Sequence, residues 1–447
     1  MVGILMFFAA LLLLLFGFPV AFTFGGVSVI FAIIFGLVEV IPFGGTIWEG
    51  VREGMSMFSF MPFRLYAIMT NKLLMAIPLF IFMGLILQKS NLAERLLESM
   101  GSLFGNIRGG MAISTILVGA MLAASTGVVG ASVVAMGIIS LPVMLKYNYN
   151  KELSTGTICA AGTLGQIVPP SIVLIILGDV FQLPVGDVFK AAFIPGIWLV
   201  GLYLIYIFAV SFFKKEVAPP IVLENRGNKI QQIIKALIDI VPPLILIILV
   251  LGSIFAGIAT PTESAAVGCF GAIILALLYR QFSYGMVKQT ALETVKITVM
   301  VYTILIGATA FSMVFVYTGG DEIVRDILLQ LPGEKYGFII FSMIAILILG
   351  FFIDFIEISY IIVPIILPVA EHIGLNPLWF AILIAMNLQT SFMTPPFGFS
   401  LFYLKGVSPP TIKTYHIYRG VVPFITIQII VLLILAFYPQ LFFLSSG

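Results

Sequence analysis

The sequence predicts an all-α polytopic membrane protein made of two inverted repeats, each with a re-entrant helical hairpin and a broken Pro-Pro helix. Three observations carry this expectation: composition, paired interruptions in the apolar runs, and the loops in which basic residues fall. Of 447 residues, 61% are hydrophobic and 9% charged, and mean hydropathy is +1.19. A soluble domain carries about 25% charge, so a water-soluble globular enzyme is excluded. One spanning helix takes about 20 apolar residues, which leaves room for roughly a dozen segments in a lipid bilayer.

The 22 Lys and Arg nearly balance the 20 Asp and Glu, so there is no basic patch for nucleic acid. Cys159 and Cys269 lie in apolar stretches without a CxxC pair, and His372 and His416 stand alone. No HExxH, P-loop or clustered His is present, so neither enzymatic activity nor an organic cofactor is expected. A cleavable signal needs a basic n-region. The first basic residue is Arg52, so residues 1–17 read as a retained membrane helix.

Residues 2–17 and 19–40 form two expected helices, split at Gly17-Phe18-Pro19 because Pro breaks a helix interior. Trp48, Glu49, Arg52 and Glu53 mark an interfacial helix before a span at about 64–87. The run at about 110–145 exceeds one span and is interrupted between Ser125 and Ser132, which predicts a re-entrant hairpin. The run at about 153–178 is interrupted from Gly162 to Ser171 around Pro169-Pro170, a broken helix. A span at about 192–212 closes the first repeat, residues 1–212.

The polar stretch 213–236, with Lys214, Lys215, Arg226, Lys229 and Lys235, reads as a cytoplasmic linker. The second repeat, 237–447, begins with a span at 237–257, a turn at Thr260-Pro261-Thr262-Glu263 and a span at 264–279. An amphipathic arm at about 281–295 and a span at 296–317 follow, then a surface helix near 321–330. A second hairpin at about 338–370, a second broken helix at about 378–404 and a last span at 420–441 complete the chain.

The repeats share one register. Leu141-Pro142-Val143 recurs as Leu367-Pro368-Val369, Asn150 as Asn376, and Pro169-Pro170 as Pro395-Pro396, all at an offset of 226. The excess of Lys and Arg in cytoplasmic loops sets orientation. With the N-terminus periplasmic and both hairpins re-entrant, 16 of the 22 basic residues fall inside, leaving Arg52, Arg64, Lys72, Lys190, Arg325 and Lys335 outside. The first hairpin then opens from the cytoplasm and the second from the outside, so the repeats are inverted.

Irregular backbone at membrane depth leaves N–H and C=O groups unpaired unless it lines a buried or wet cavity. Gly/Pro-interrupted segments in matching positions of two halves point to a secondary transporter's binding site, where carbonyl ends coordinate cations and N–H ends face anionic groups. Ser125, Thr126, Ser132 and Thr163 offer hydroxyls there, and Gly127, Gly130, Gly162 and Gly165 free the backbone to turn. Small residues also let membrane helices pack closely, which is the plainer reading of any one of them. Asp354 and Glu357 stand three apart inside the second hairpin, and a carboxylate in a membrane segment marks a functional site by default. Asn387, Gln389, Thr390, Ser391 and Thr394 ring the second break, whereas Asp239 and Glu263 sit near span ends and read as solvated caps.

Four motifs occur in order: Thr126-Gly127-Val128-Val129-Gly130-Ala131-Ser132, Gly162 through Ser171, Gly257-Ile258-Ala259-Thr260-Pro261-Thr262-Glu263, and Thr394-Pro395-Pro396-Phe397-Gly398. Together, over essentially the whole chain, they resemble the large membrane subunit of the tripartite ATP-independent periplasmic (TRAP) transporters. The resemblance implies the elevator fold of the ion-transporter superfamily and Na⁺-driven import of a small organic acid. It implies a multi-pass protein of the bacterial cytoplasmic membrane with two partners, a small four-helix membrane subunit and a periplasmic substrate-binding protein. The small subunit is expected as a separate chain, since no extra helices precede the first repeat.

In that family the hairpin tips and broken helices form the cation and substrate sites. One expected cation site therefore takes Ser125, Thr126, Gly127, Gly130, Gly162, Thr163 and Gln166, and the other Asp354, Glu357, Ser359, Asn387, Thr390 and Thr394. Sodium is the sole metal expected, and Ser132, Thr163 and Asn387 are the candidate substrate contacts. The first tip departs from the family's Ser-Gly-Ser-like pattern, and Glu357 stands where a small or apolar residue is expected. An alternative of the same architecture is an autonomous Na⁺- or H⁺-coupled carboxylate carrier, which transport by this chain alone would reveal. A channel would conduct without saturating.

Overall fold

The computed structural model describes residues 2–126, 129–221, 229–442 and 444, with backbone alone for 123–126 and 229–231. Among these residues every regular element is helical. The order is α1 Val2–Leu15, α2 Val20–Val40, α3 Ile47–Ser56, α4 Met61–Thr70, α5 Ala76–Lys89, α6 Leu92–Phe104, α7 Gly110–Thr126, α8 Val129–Lys146, α9 Lys151–Thr163, α10 Ile172–Val180 and α11 Val185–Phe213. The second half continues with α12 Lys229–Phe255, α13 Pro261–Leu278, α14 Tyr284–Tyr317, α15 Gly320–Leu329, α16 Glu334–Leu349, the single turn α17 Phe355–Glu357, α18 Val363–His372, α19 Pro377–Met393, α20 Phe399–Val407 and α21 Thr414–Phe437. Eight helical segments among the described residues are long and apolar enough to cross a membrane. The protein is an all-α multi-pass membrane protein.

Each half carries an interrupted hairpin, α7–α8 and α16–α18, followed by a broken helix, α9/α10 and α19/α20. The Pro-Pro bond in each break, Pro169-Pro170 and Pro395-Pro396, is cis. The second hairpin has a feature with no counterpart in the sequence pattern: a π-helical stretch, Ile358–Ile362, joins α17 to α18.

Four boundaries differ from expectation. The segment 64–87 is two helices, because Asn71 turns to an extended backbone and caps α4. A helix absent from the sequence reading, α6, follows α5 at a 57° bend. Its buried Leu92, Ala93, Leu96, Leu97 and Met100 recur at helical spacing between charges. The arm at 281–295 and the span at 296–317 form one 34-residue helix, α14, because no Gly or Pro interrupts residues 286–306. Helix α12 starts at Lys229, so the eight residues 229–236 of the expected linker are helical.

The chain separates into two compact units that cut across the repeats, one of Met1–Leu74 with Lys296–Pro377 and one of Met75–Val295 with Leu378–Ser446. In the first unit α2 lies against α3 with Gly36 beside Gly50 and Gly54, where an added Cβ would strike the facing backbone. Phe24 and Phe311 pack edge to face at 4.9 Å. In the second unit α9 is central, packed by α7, α8 and α21. All its residues from Leu153 to Thr163 are buried, as are those of α19 from Trp379 to Met393. Such helices, buried on every face, belong to the interior rather than to the lipid surface.

Both acidic caps can be placed. Thr260 and Glu263 form an exposed capping box at the start of α13, as expected. Asp239 does not follow expectation: it is 5% exposed and accepts a short hydrogen bond from the Ser99 hydroxyl of α6. Tyr279 donates to the Asp239 carbonyl at 3.3 Å, with Arg95 over the Tyr279 ring at 4.9 Å. A polar knot thus ties α6, α12 and the end of α13 together.

Candidate functional site

In the second unit the first hairpin packs on both broken helices. Gly162 of α9 sits against the backbone of Val133 in α8, whose N and Cα lie 2.9 and 3.0 Å from the position of a Cβ. Gly130, at the start of α8, faces the ring of Tyr403 in α20, with ring carbons 2.8 and 2.9 Å from its Cβ position. These glycines bring three chain segments together: the hairpin, the break after α9 and the half-helix α20. Gly127 lies outside the described residues, as do the side chains of Ser125 and Thr126, which end α7.

The hydroxyls at the breaks bind their own backbone. Thr163 donates to Ala160 O at 3.0 Å, Thr390 to Met386 O at 3.0 Å and Thr394 to Thr390 O at 2.7 Å. Ser171 reaches Gln166 O at 2.8 Å. Each such hydroxyl spends its proton on the helix and keeps lone pairs free to accept or to coordinate a cation. Ser132 and Asn387 are both buried, at 3% and 2% exposure.

Two side chains stand apart. Gln166, in the single 3₁₀ turn after α9, and Gln389, in α19, are fully buried, and neither amide nitrogen nor oxygen has a hydrogen-bond partner among the described residues. Leaving a buried polar group unpaired costs about 1–3 kcal/mol, and native structures explain such groups by water, ion or ligand. The sequence places Gln389 in the ring around the second break without assigning it a binding role. Its offset of 226 from Thr163 was the signal that could have promoted it. Both half-helices beyond the breaks also start without side-chain caps, α10 at Ser171 and α20 at Gly398. Their first-turn N–H groups therefore keep the capacity to face an anion.

Asp354, Glu357 and Ser359 belong to the first unit. Asp354 caps α17 by accepting from the Phe355 N–H at 2.7 Å. Glu357 closes this single turn and is 3% exposed. One Glu357 oxygen and the Ser359 hydroxyl remain buried without partners. They flank the start of the π-helical stretch, a distortion frequent at functional sites. Gly130, Ser132, Gly162, Thr163, Gln166, Asn387, Thr390 and Thr394 thus lie in one unit and Asp354, Glu357 and Ser359 in the other, so the residues expected to form the second cation site are divided between the two units. No group of three or more His, Cys, Asp or Glu among the described residues is arranged to hold a metal ion.

Comparison with known proteins gives one picture. The chain is 30% identical over 367 residues to the C4-dicarboxylate TRAP transporter large permease protein DctM of Pseudomonas aeruginosa, covering 82% of this chain and 84% of that one. It is 31% identical to the isethionate TRAP transporter permease protein DctMQ of Oleidesulfovibrio alaskensis, covering 84% of this chain and 58% of that longer one. It is 28% identical to the sialic acid TRAP transporter large permease protein SiaM of Vibrio cholerae, over 83% of this chain and 85% of that one. Among solved structures, the YdaH transporter of Alcanivorax borkumensis shares the fold, with a TM-score of 0.65, 12% identity and coverage of 97% and 98%. The family model of the DctM component of the tripartite ATP-independent periplasmic transporters matches residues 5–441, and the chain belongs to that family as a large permease subunit.

Proposed function

We propose that this chain is the membrane-spanning subunit of a Na⁺-coupled importer of a small organic acid, working by an elevator mechanism in a bacterial cytoplasmic membrane. Its partners are a small four-helix membrane subunit and a periplasmic substrate-binding protein. The relatives named for C4-dicarboxylate, isethionate and sialic acid transport support an anionic organic substrate.

The observation that carries the reading is the pair of buried, unpartnered amides at the two breaks, Gln166 and Gln389, beside uncapped half-helix starts. An amide oxygen and lone pairs of Thr163, Thr390 and Thr394 suit Na⁺. The amide N–H groups and the first-turn N–H groups of α10 and α20 suit a carboxylate. Asn387 and Ser132 complete the substrate side. Asp354, Glu357 and Ser359 supply a second cation position in the other hairpin, with the Glu357 oxygen as the open ligand. Ser125, Thr126, Gly127, Gly130 and Gly162 shape the first tip.

Reconstitution with the small subunit into liposomes, followed by addition of substrate-loaded binding protein, tests the partner claim. Saturable uptake that requires both partners is expected. Uptake by this chain alone, from free substrate, would instead mark an autonomous carrier.

A further inference from the structure

A cavity of about 160 Å³ opens in the second unit between the start of α9, the end of α11 and the start of α21. Its charged lining is Glu152, Lys214 and Arg419, with Asn150 and Tyr206 as polar neighbours. The floor is fixed by two hydrogen bonds: the Leu153 N–H donates to Asn150 Oδ1 at 3.0 Å, and the Asn150 N–H donates to Val217 O at 2.8 Å. Glu152 answers Arg419 only at 3.9 Å, and Lys214 has no ion pair among the described residues.

The positive excess extends beyond the cavity. Lys151 and Lys405 spend their ammonium groups on the neutral carbonyls of Thr411, at 3.2 Å, and Ile412, at 2.7 Å. Among the described residues neither forms an ion pair with a carboxylate. The last turns of α11 also carry exposed aromatic rings. Phe208, Phe212 and Phe213 are 55%, 64% and 80% exposed, and Phe213 directly precedes Lys214. Arg419 lies over the ring of Tyr415 at 5.7 Å. Aromatic rings adjoining Lys and Arg mark the level of the lipid headgroups.

We propose that this cavity binds the phosphate headgroup of an anionic phospholipid, with Lys214 and Arg419 as counter-charges. Basic pockets between membrane helices recognise such headgroups. The cavity is smaller than the ~300 Å³ at which small-molecule pockets begin, so it suits one phosphate group and not an organic substrate. Bound there, a lipid bridges the ends of α9, α11 and α21, remote in sequence from the breaks.

The full chain purified in mild detergent is to be titrated with cardiolipin, phosphatidylglycerol or phosphatidylethanolamine and read by native mass spectrometry. The two anionic lipids should be retained at least threefold more than phosphatidylethanolamine. Lys214→Gln/Arg419→Gln should remove that preference, whereas Lys214→Arg should keep it. The double variant's Tm in phosphatidylethanolamine alone should match wild type, which separates lost binding from misfolding. Equal retention of all three lipids, or an unchanged preference in the folded double variant, would overturn the proposal. A thermal shift from inorganic phosphate that equals the cardiolipin shift would also overturn it, by making the site one for a free anion.

Discussion

The tightest helix crossing in the second unit yields the sharpest prediction. A Cβ on Gly156 of α9 would overlap the carbonyl of Gly420 in α21, and the nearest carbon of the Phe424 ring would be 3.0 Å away. The reciprocal Cβ on Gly420 would meet the Glu152 carbonyl and lie 2.9 Å from Gly156 N. Carbon contacts are comfortable at about 3.5–4.0 Å, so relieving the overlap with the Gly420 carbonyl requires Gly156→Ala to part the two helices by at least about 1 Å. Backbone cannot rotate aside as a side chain can. Overpacking of this kind costs about 1–3 kcal/mol, offset by about 0.5–1 kcal/mol from replacing a mid-helix Gly. The net is about 0–2.5 kcal/mol of destabilisation, a downward shift in Tm.

The functional effect should be larger. Thr163 lies two turns along α9 from Gly156, and a misplacement of ~1 Å at a reacting or binding centre can cost up to about 10²-fold. Initial uptake should therefore fall at least about tenfold while the protein remains inserted. Gly201→Ala, in α11 with no atom within 4 Å of its Cβ position, is the matched control and should be neutral or slightly stabilising. Because both glycines guard one contact, Gly156→Ala and Gly420→Ala should be less damaging together than their separate effects combined. Wild-type uptake by Gly156→Ala, or equal damage from Gly201→Ala, would refute the close-crossing argument.

Further outcomes follow from the buried polar groups. Gln389→Leu removes an unpaired amide at similar volume, so Tm should hold or rise by the equivalent of up to about 1–3 kcal/mol. Its Na⁺-dependent uptake should nevertheless fall; normal uptake would take Gln389 out of the site. Asp354→Ala and Asn387→Ala should each raise the Na⁺ concentration needed for half-maximal uptake without loss of insertion, and an unchanged Na⁺ dependence would exclude the residue concerned. Ser99→Ala strips the buried Asp239 carboxylate of its donor and should cost about 1.5–3 kcal/mol, read as a lower Tm than that of Ser102→Ala on the same helix. At the start of α3, hydrogen bonds from the Thr46 N–H and hydroxyl hold the Glu49 carboxyl below its usual range. That cap contributes above the ordinary Glu value of about 4.3 and is lost as pH falls through the lowered one. Exchange protection of the α3 amides, corrected for intrinsic rates, should weaken on acidification in wild type but not in Glu49→Gln.

Much of the architecture was legible because its punctuation is chemical. Pro169-Pro170 and Pro395-Pro396 stand among Gly, Ser and Thr and mark both broken helices, whereas Pro242-Pro243, in a purely apolar run, lies inside the continuous helix α12. Where an element ends without Gly or Pro the reading failed. Asn71 divides the expected span at 64–87 with no strong breaker, and the change from an amphipathic arm at about 281–295 to an apolar span at 296–317 is a change of surroundings along α14, where the backbone simply continues. Helix α6 was hidden by Glu94, Arg95 and Glu98, whose polar face masks a buried stripe.

The candidate site divides in the same way. Residue types at the breaks were visible, but their satisfaction was not. Thr163, Thr390 and Thr394 bind carbonyls three or four residues back along the chain, but that Gln166 and Gln389 bind nothing among the described residues depends on packing from distant segments. Asp239 looked like a solvated cap because its partner Ser99 is 140 residues away. The π-helical stretch after Glu357 adds no residue type that composition could flag.

Sodium coupling is the central claim, and one measurement addresses it most directly. With both partner proteins present and membrane potential clamped, initial substrate uptake into proteoliposomes is recorded as external Na⁺ is replaced stepwise by choline. The account predicts saturable dependence on Na⁺ and near-zero uptake without it, with a weakened dependence in Asp354→Ala. A full rate in choline medium would contradict it.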